Sequence, residues 1–220
     1  VNQLVDGEVG QTLASNIEEQ LGVVVPGRWL LLGFVSTFGT GEPLDSFADL
    51  KGKRIRVPGG AATIARFRAL GAEAIAMPFN DVPLALTQGT IDGLLSTNET
   101  VRSAKLFEAG VTSAFNDQVS VYYYVPLVNT RFWDKLSPAE QKIMQDAANE
   151  ARGYQRQVSR EAAGKAVGGL KEKGMAYNEI APAELERMRQ IVKPATDKFA
   201  ASYDPAIVKL YNDELARIRK

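Results

Sequence analysis

The stretch Phe47–Thr63, FADLKGKRIRVPGGAAT, decides how the rest of the chain reads. A charged turn punctuated by glycine (Asp49, Lys51, Gly52, Lys53) leads into Arg54-Ile55-Arg56-Val57, whose alternation has the period of a half-buried strand. Pro58-Gly59-Gly60 stops that strand, because proline has no N–H to give the ladder and glycine takes backbone angles other residues avoid. Helical spacing resumes from Ala61 to Phe67. This order, strand, glycine turn and helix start, places Arg56 at a strand's end. Ligands of α/β sheets sit outside the carboxyl ends of strands, near helix N-termini that favour anions. A guanidinium there holds a carboxylate through two parallel hydrogen bonds, which a lysine cannot reproduce. The stretch therefore reads as a carboxylate-binding corner; the alternative is that Arg54 and Arg56 are solvated charges on an edge strand.

Working outward, Glu8 to Gly22 carries apolar positions at Val9, Leu13, Ile17 and Leu21 and predicts a helix, followed by extended segments at Val23–Pro26 and Trp29–Thr37. Phe38 to Pro43 is a turn-rich loop, with Ser46 as a cap for the segment before Lys51. After the Arg56 strand and its helix, Ala74–Met77 is a short strand. Asn80 or Asp81 then caps a helix ending at Gln88-Gly89. Ile91–Ser96 is another strand, and Thr97 or Asn98 starts a helix running to Gly110. Three strand-to-helix units in succession predict a parallel α/β sheet.

Beyond these units lies VSVYYYVPLV, residues 119–128, a β-branched and aromatic strand broken by Pro126. It predicts an edge strand or a bend where the chain crosses between two packed bodies. Ser137-Pro138-Ala139-Glu140 opens a helix of unusual length, to about Lys173, with Gly153, Gly164, Gly168 and Gly169 as expected kinks. Met175–Ile180 reads as a last strand, and Pro182–Ala200 and Pro205–Lys220 as closing helices.

Composition narrows the chemistry. Twenty-six basic residues balance 26 acidic ones, without the basic surface that nucleic acid or an anionic membrane requires. The absence of cysteine removes thiol catalysis, disulfides and thiolate metal sites; the absence of histidine removes the commonest general base and metal ligand. No metal site and no cofactor site is read. The longest apolar run, Trp29–Val35, is strand-length and too short to span a bilayer. The chain opens at Val1, which reads as a processed or truncated product.

Three blocks, DLKGKRIRVPGGAA, MPFNDVPLALTQGTIDG and VPLVNTRFWDKLSPAEQKIMQDAANEA, come in an order and spacing that resemble the extracytoplasmic solute-binding subunit of tripartite ATP-independent periplasmic (TRAP) transporters, the DctP type. The resemblance covers nearly the whole chain. It implies an α/β, two-lobed periplasmic-binding-protein-like fold with crossing hinge strands and a long connecting helix, whose first βαβ portion of lobe one would precede VNQLVDGEVG. Residues 1–34 and 119–165 would form the remainder of lobe one with the long helix, and residues 35–118 and 166–220 lobe two with the closing helices. It further implies a periplasmic protein, not an enzyme, that closes over a small-molecule carboxylate and delivers it to TRAP membrane subunits, with no nucleic-acid partner.

Carried onto this sequence, the resemblance makes Arg56 the carboxylate-clamping arginine and Phe79 an aromatic ligand wall. Ser96, with Thr97 and Asn98 beside it, falls where a polar ligand contact is common, and Gln118 near a polar contact of the hinge strand. Taken alone, Phe79 is more often core than ligand wall, Ser96–Asn98 could simply cap a helix, and Tyr122–Tyr124 read first as strand packing, with one of them, Tyr122, reaching the cleft. One departure stands out: the G-x-R segment that brings many family members a second arginine has none between Leu32 and Phe38, and the nearest, Arg28, lies earlier. A ligand held by one guanidinium, with neutral donors and aromatic walls such as Phe34 and Phe38, implies a monocarboxylate or an acid with an apolar body. The competing readings are an α/β enzyme using Asp81, Asp92 or Glu99 for acid/base work and a helical interaction module built on Ala139–Lys173.

Overall fold

The computed structural model describes residues 2–117 and 120–219. The chain begins with helices α1 (Asn2–Asp6) and α2 (Glu8–Leu21), then strands β1 (Val23–Val24), β2 (Leu30–Thr40) and β3 (Arg54–Val57). Next come α3 (Ala61–Ala69), β4 (Glu73–Ala76), α4 (Val82–Thr87), β5 (Gly93–Thr97), α5 (Asn98–Ser103) and β6 (Val111–Asn116). After β7 (Val121–Tyr124), β8 (Val128–Asn129) and α6 (Thr130–Trp133), the long α7 (Pro138–Glu172) leads to β9 (Ala176–Glu179), α8 (Pro182–Ala200) and α9 (Pro205–Ile218). No described helix is long and apolar enough to cross a membrane.

Two compact units divide the chain: residues 1–33, 121–161 and 203–220 form the first, and residues 34–120 and 162–202 the second. Strand β2 and helix α7 pass from one to the other. The last helix, α9, groups with the first unit, where it packs against α1 and α2. In that unit β1 and β8 pair antiparallel, Val23 opposite Asn129. Asp6, at the end of α1, is anchored to α7 by Arg156, whose Nη1 and Nη2 donate to its carboxylate at 2.6 and 2.9 Å.

In the second unit the sheet order is β4-β3-β5-β2-β6-β9. Strand β3 is parallel to β4 and β5, and β6 to β9, but β2 runs antiparallel to both β5 and β6. The sheet is thus mixed rather than parallel. The strand-to-helix units of the sequence hold for β3, β4 and β5; β2 reaches β3 through a loop and a 3-10 turn (Phe47–Leu50) instead of a helix, so no parallel crossover is imposed. Phe38, Leu94, Ile91, Val101, Leu106 and Leu170 fill the core on one sheet face.

Several local expectations change. Strand β6 falls in a stretch to which the sequence assigned no element, and the helix expected to run to Gly110 stops at Ser103. The sequence's long strand at residues 119–128 is split: β7 and β8 are short strands, and Val119 falls outside the described residues. Asp81 occupies the N-cap position of α4 but makes no side-chain cap hydrogen bond; a 3-10 turn (Phe79–Asp81) leads into the helix and Pro83 occupies its first turn, where a missing N–H costs nothing. Helix α7 continues through its glycines, and a Cβ at Gly153, Gly164 or Gly168 would meet nothing within 4 Å.

Candidate functional site

Strand β3 is flanked on both sides, so Arg56 is no edge charge. The strand ends in a turn that only glycines satisfy without strain, with φ of 128° at Gly59 and 83° at Gly60. Arg56 is 5% exposed. Its Nε and Nη2 both donate to the Met77 carbonyl, at 2.9 and 2.8 Å, which fixes the plane of the guanidinium. Its Cζ lies 5.7 Å from the centre of the Phe79 ring, a cation–π contact. Arg54 differs: it forms an ion pair with Asp92 at 2.6 Å, and the hydrogen bond from Arg54 holds the Asp92 carboxyl below the usual carboxylate range.

Register gives the rest of the edge. Ile75, Arg56, Leu94, Phe38, Ala114 and Tyr177 are successive partners across the sheet, so their side chains share one face. Two residues nearer the carboxyl edge, the same face carries Ser96 on β5, its partner Ser36 on β2, and Asn116 on β6. Both serines are buried, and Ser36 Oγ donates to Asn116 Oδ1 at 3.1 Å. The Ser36 hydroxyl also bonds Tyr177, and Asn98 Nδ2 donates to the Tyr177 hydroxyl at 2.9 Å. Burial pushes the Tyr177 phenol above its ordinary value, so it remains a donor. A row of hydroxyls and amides thus continues from the buried arginine along one edge.

Of the residues picked from the sequence, the structure brings Arg56, Phe79, Ser96 and Asn98 to this edge. Thr97 points to the opposite face and is occupied as the cap of α5, accepting from Thr100 N at 3.1 Å. Phe34, 48% exposed, lies at the start of β2's run through this unit. Phe38 is no wall: it is fully buried in the core, because alternation turns it inward opposite Leu94. Tyr122 belongs to the first unit, with its hydroxyl buried and unpartnered. Gln118 lies outside the described residues. Ser36, Asn116 and Tyr177 were not singled out; only the strand register exposes them. Arg66, on α3, donates to Ser120 Oγ at 2.6 Å.

The carboxylates offered for catalysis are engaged or apart. Asp92 holds Arg54, Glu99 binds Arg102 at 2.9 Å, and Asp81 is exposed. No cluster suited to a metal ion occurs among the described residues.

A mixed α/β sheet with a buried arginine and a polar row at one carboxyl edge is an arrangement able to hold a small anionic ligand. The family profile of DctP, bacterial extracellular solute-binding protein, family 7, matches residues 1–202, and the chain belongs to that family. It is 33% identical over 177 residues to the 2,3-diketo-L-gulonate-binding periplasmic protein YiaO of Escherichia coli (strain K12), covering 79% of this chain and 52% of that protein. The chain spans about half the length of this curated relative. Among solved structures it is similar to a TRAP periplasmic solute-binding protein from Ochrobactrum anthropi whose C-terminus is bound in its ligand-binding pocket (31% identity, TM-score 0.83, 99% of this chain and 67% of that one). It is also similar to one from Ralstonia eutropha H16 with bound (S)-2-acetolactate (25% identity, TM-score 0.91, 98% and 69%).

Proposed function

We propose that this chain binds a small organic acid through Arg56 and, as a periplasmic receptor, delivers it to the membrane subunits of a TRAP transporter. The buried guanidinium carries the reading: its orientation is fixed by Met77, and a charge so sheltered pairs with an anion far more strongly than one in water. Family membership and the acids named for its relatives support the same class of ligand. The function is capture, with no bond made or broken.

Monocarboxylates, or acids with an apolar body, are favoured over compact dicarboxylates. The support is that β2 brings Phe34, Val35 and Ser36 to the edge, and no arginine. Calorimetric titration with butanoate, 3-methylbutanoate, malate and succinate tests both levels. Binding of any acid, lost in Arg56→Gln, supports the receptor; succinate or malate binding far more tightly than every monocarboxylate contradicts the finer preference.

A further inference from the structure

At the opposite end of β3 from the glycine turn, a cavity of about 150 Å³ opens between the 3-10 turn Phe47–Leu50, the last residues of α3 and helix α8. Every residue that lines it belongs to the second unit. Phe47 and Leu70, both buried, meet there with Ala48 and Ala69, and Ile191 is left 43% exposed beside them. The Phe47 ring stands edge-on to Phe115, with ring centres 4.8 Å apart, which fixes its tilt. An apolar cavity of this size accommodates a benzene ring.

Three charged residues also line the cavity, and their charges do not cancel. Glu184 is engaged: its Oε1 accepts from Phe47 N at 3.3 Å, and its Oε2 faces Arg187 Nη1 at 4.0 Å. The Lys51 ammonium has no ion-pair or hydrogen-bond partner among the described residues. Its stem lies across Gly71, where an added Cβ would come 3.3 Å from Lys51 Cγ. An apolar cavity with one uncompensated cation suits an anion carried on an apolar body, because the ring leaves water while the carboxylate stays at the surface beside the ammonium.

We propose that this cavity is a second binding site, for a small aromatic carboxylate whose ring packs on Phe47 and Ile191 and whose charge pairs with Lys51. Aliphatic acids lack the ring and are not held here, so the inference is independent of the reading of Arg56.

Fluorine NMR tests it, with 4-fluorobenzoate, 4-fluorobenzyl alcohol and N-acetyl-4-fluorophenylalaninamide as probes and with Lys51→Gln and Ala69→Leu made both in the parent and in Arg56→Gln. Arg56→Gln should still bind 4-fluorobenzoate. Ala69 is exposed where it lines the cavity, so a leucine there takes the place of the ring; Ala69→Leu should weaken binding at least ten-fold. Lys51→Gln should weaken it about five-fold and bring the preference for the acid over the alcohol to about one. Melting midpoints show that each variant is folded, and Ala48→Leu, which fills the cavity from the 3-10 turn, serves if Ala69→Leu is not. Loss of 4-fluorobenzoate binding in folded Arg56→Gln overturns the inference and leaves the Arg56 reading standing, since the acid then sits at the carboxyl edge. Unchanged binding in the leucine variant overturns it too, as does a parent that binds no 4-fluorobenzoate or binds the alcohol as tightly as the acid. Tighter binding of the amide marks a protein segment as the occupant and equally overturns it.

Discussion

Arg56 and Met77 are joined by a forked hydrogen bond in which two guanidinium nitrogens donate to one carbonyl oxygen. It ties the end of β3 to the residue just after β4 and sets the direction in which the remaining N–H groups point. A lysine in its place keeps the charge but has neither the plane nor the fork. Arg56→Lys is expected to weaken acid binding on the order of 100-fold, the loss of one or two charge-assisted hydrogen bonds. Calorimetry checks the affinity, and circular dichroism well below the melting midpoint shows whether the fold is kept.

Gly93 sits at the start of β5, where an added Cβ would lie 2.2 Å from the Phe38 carbonyl oxygen and 3.3 Å from Gly39 Cα. Both neighbours are backbone of the central strand β2, so nothing yields cheaply. Gly93→Ala is expected to destabilise by about 3 kcal/mol or more, through separation of β5 from β2. Urea unfolding of the variant beside the parent measures it.

The Arg54–Val57 strand, the glycine turn and the capping role of Thr97 were legible in the sequence because each is a local event: alternation, positive φ and one side chain closing a helix end. The antiparallel course of β2 was not, because nothing local encodes which neighbours a strand takes. Phe38 looked like a wall because an aromatic beside glycines suits either a pocket or a core, and only the pairing with Leu94 decides. Ser36, Asn116 and Tyr177 lie far apart in the chain, and their meeting depends on the sheet order.

Asp6 contributes to the acid sensitivity of the first unit. Burial alone would raise its carboxyl, but the Arg156 hydrogen bond and the charges of Arg156, Arg152 and Arg28 outweigh it and hold the group below its ordinary value of 3.8. A carboxyl lowered in the folded state contributes its stability above the unfolded value and loses it as the pH falls through the folded one. Stability should therefore decline on acidification below 3.8. Asp6→Asn should remove that part of the decline and cost on the order of 3 kcal/mol near neutrality, since Arg156 stays buried without its carboxylate. Unfolding free energies between about pH 2 and 7 check both statements.

Phe79 lies against the Arg56 guanidinium with its ring half-buried. Phe79→Leu retains apolar cover and removes the ring's negative face, worth about 1 kcal/mol for a sheltered cation. Acid affinity should drop about five-fold, with little change in melting temperature. Titration of one acid against the two proteins measures the difference.

The central claim is that Arg56 anchors a carboxylate. Thermal unfolding of the parent and of Arg56→Ala against a panel of mono-, di-, keto- and hydroxy-acids tests it most directly, because a ligand at about a hundred times its dissociation constant stabilises by roughly 2.7 kcal/mol. The account predicts that at least one acid raises the midpoint of the parent and leaves that of Arg56→Ala unmoved. An acid that raises both midpoints equally would contradict it.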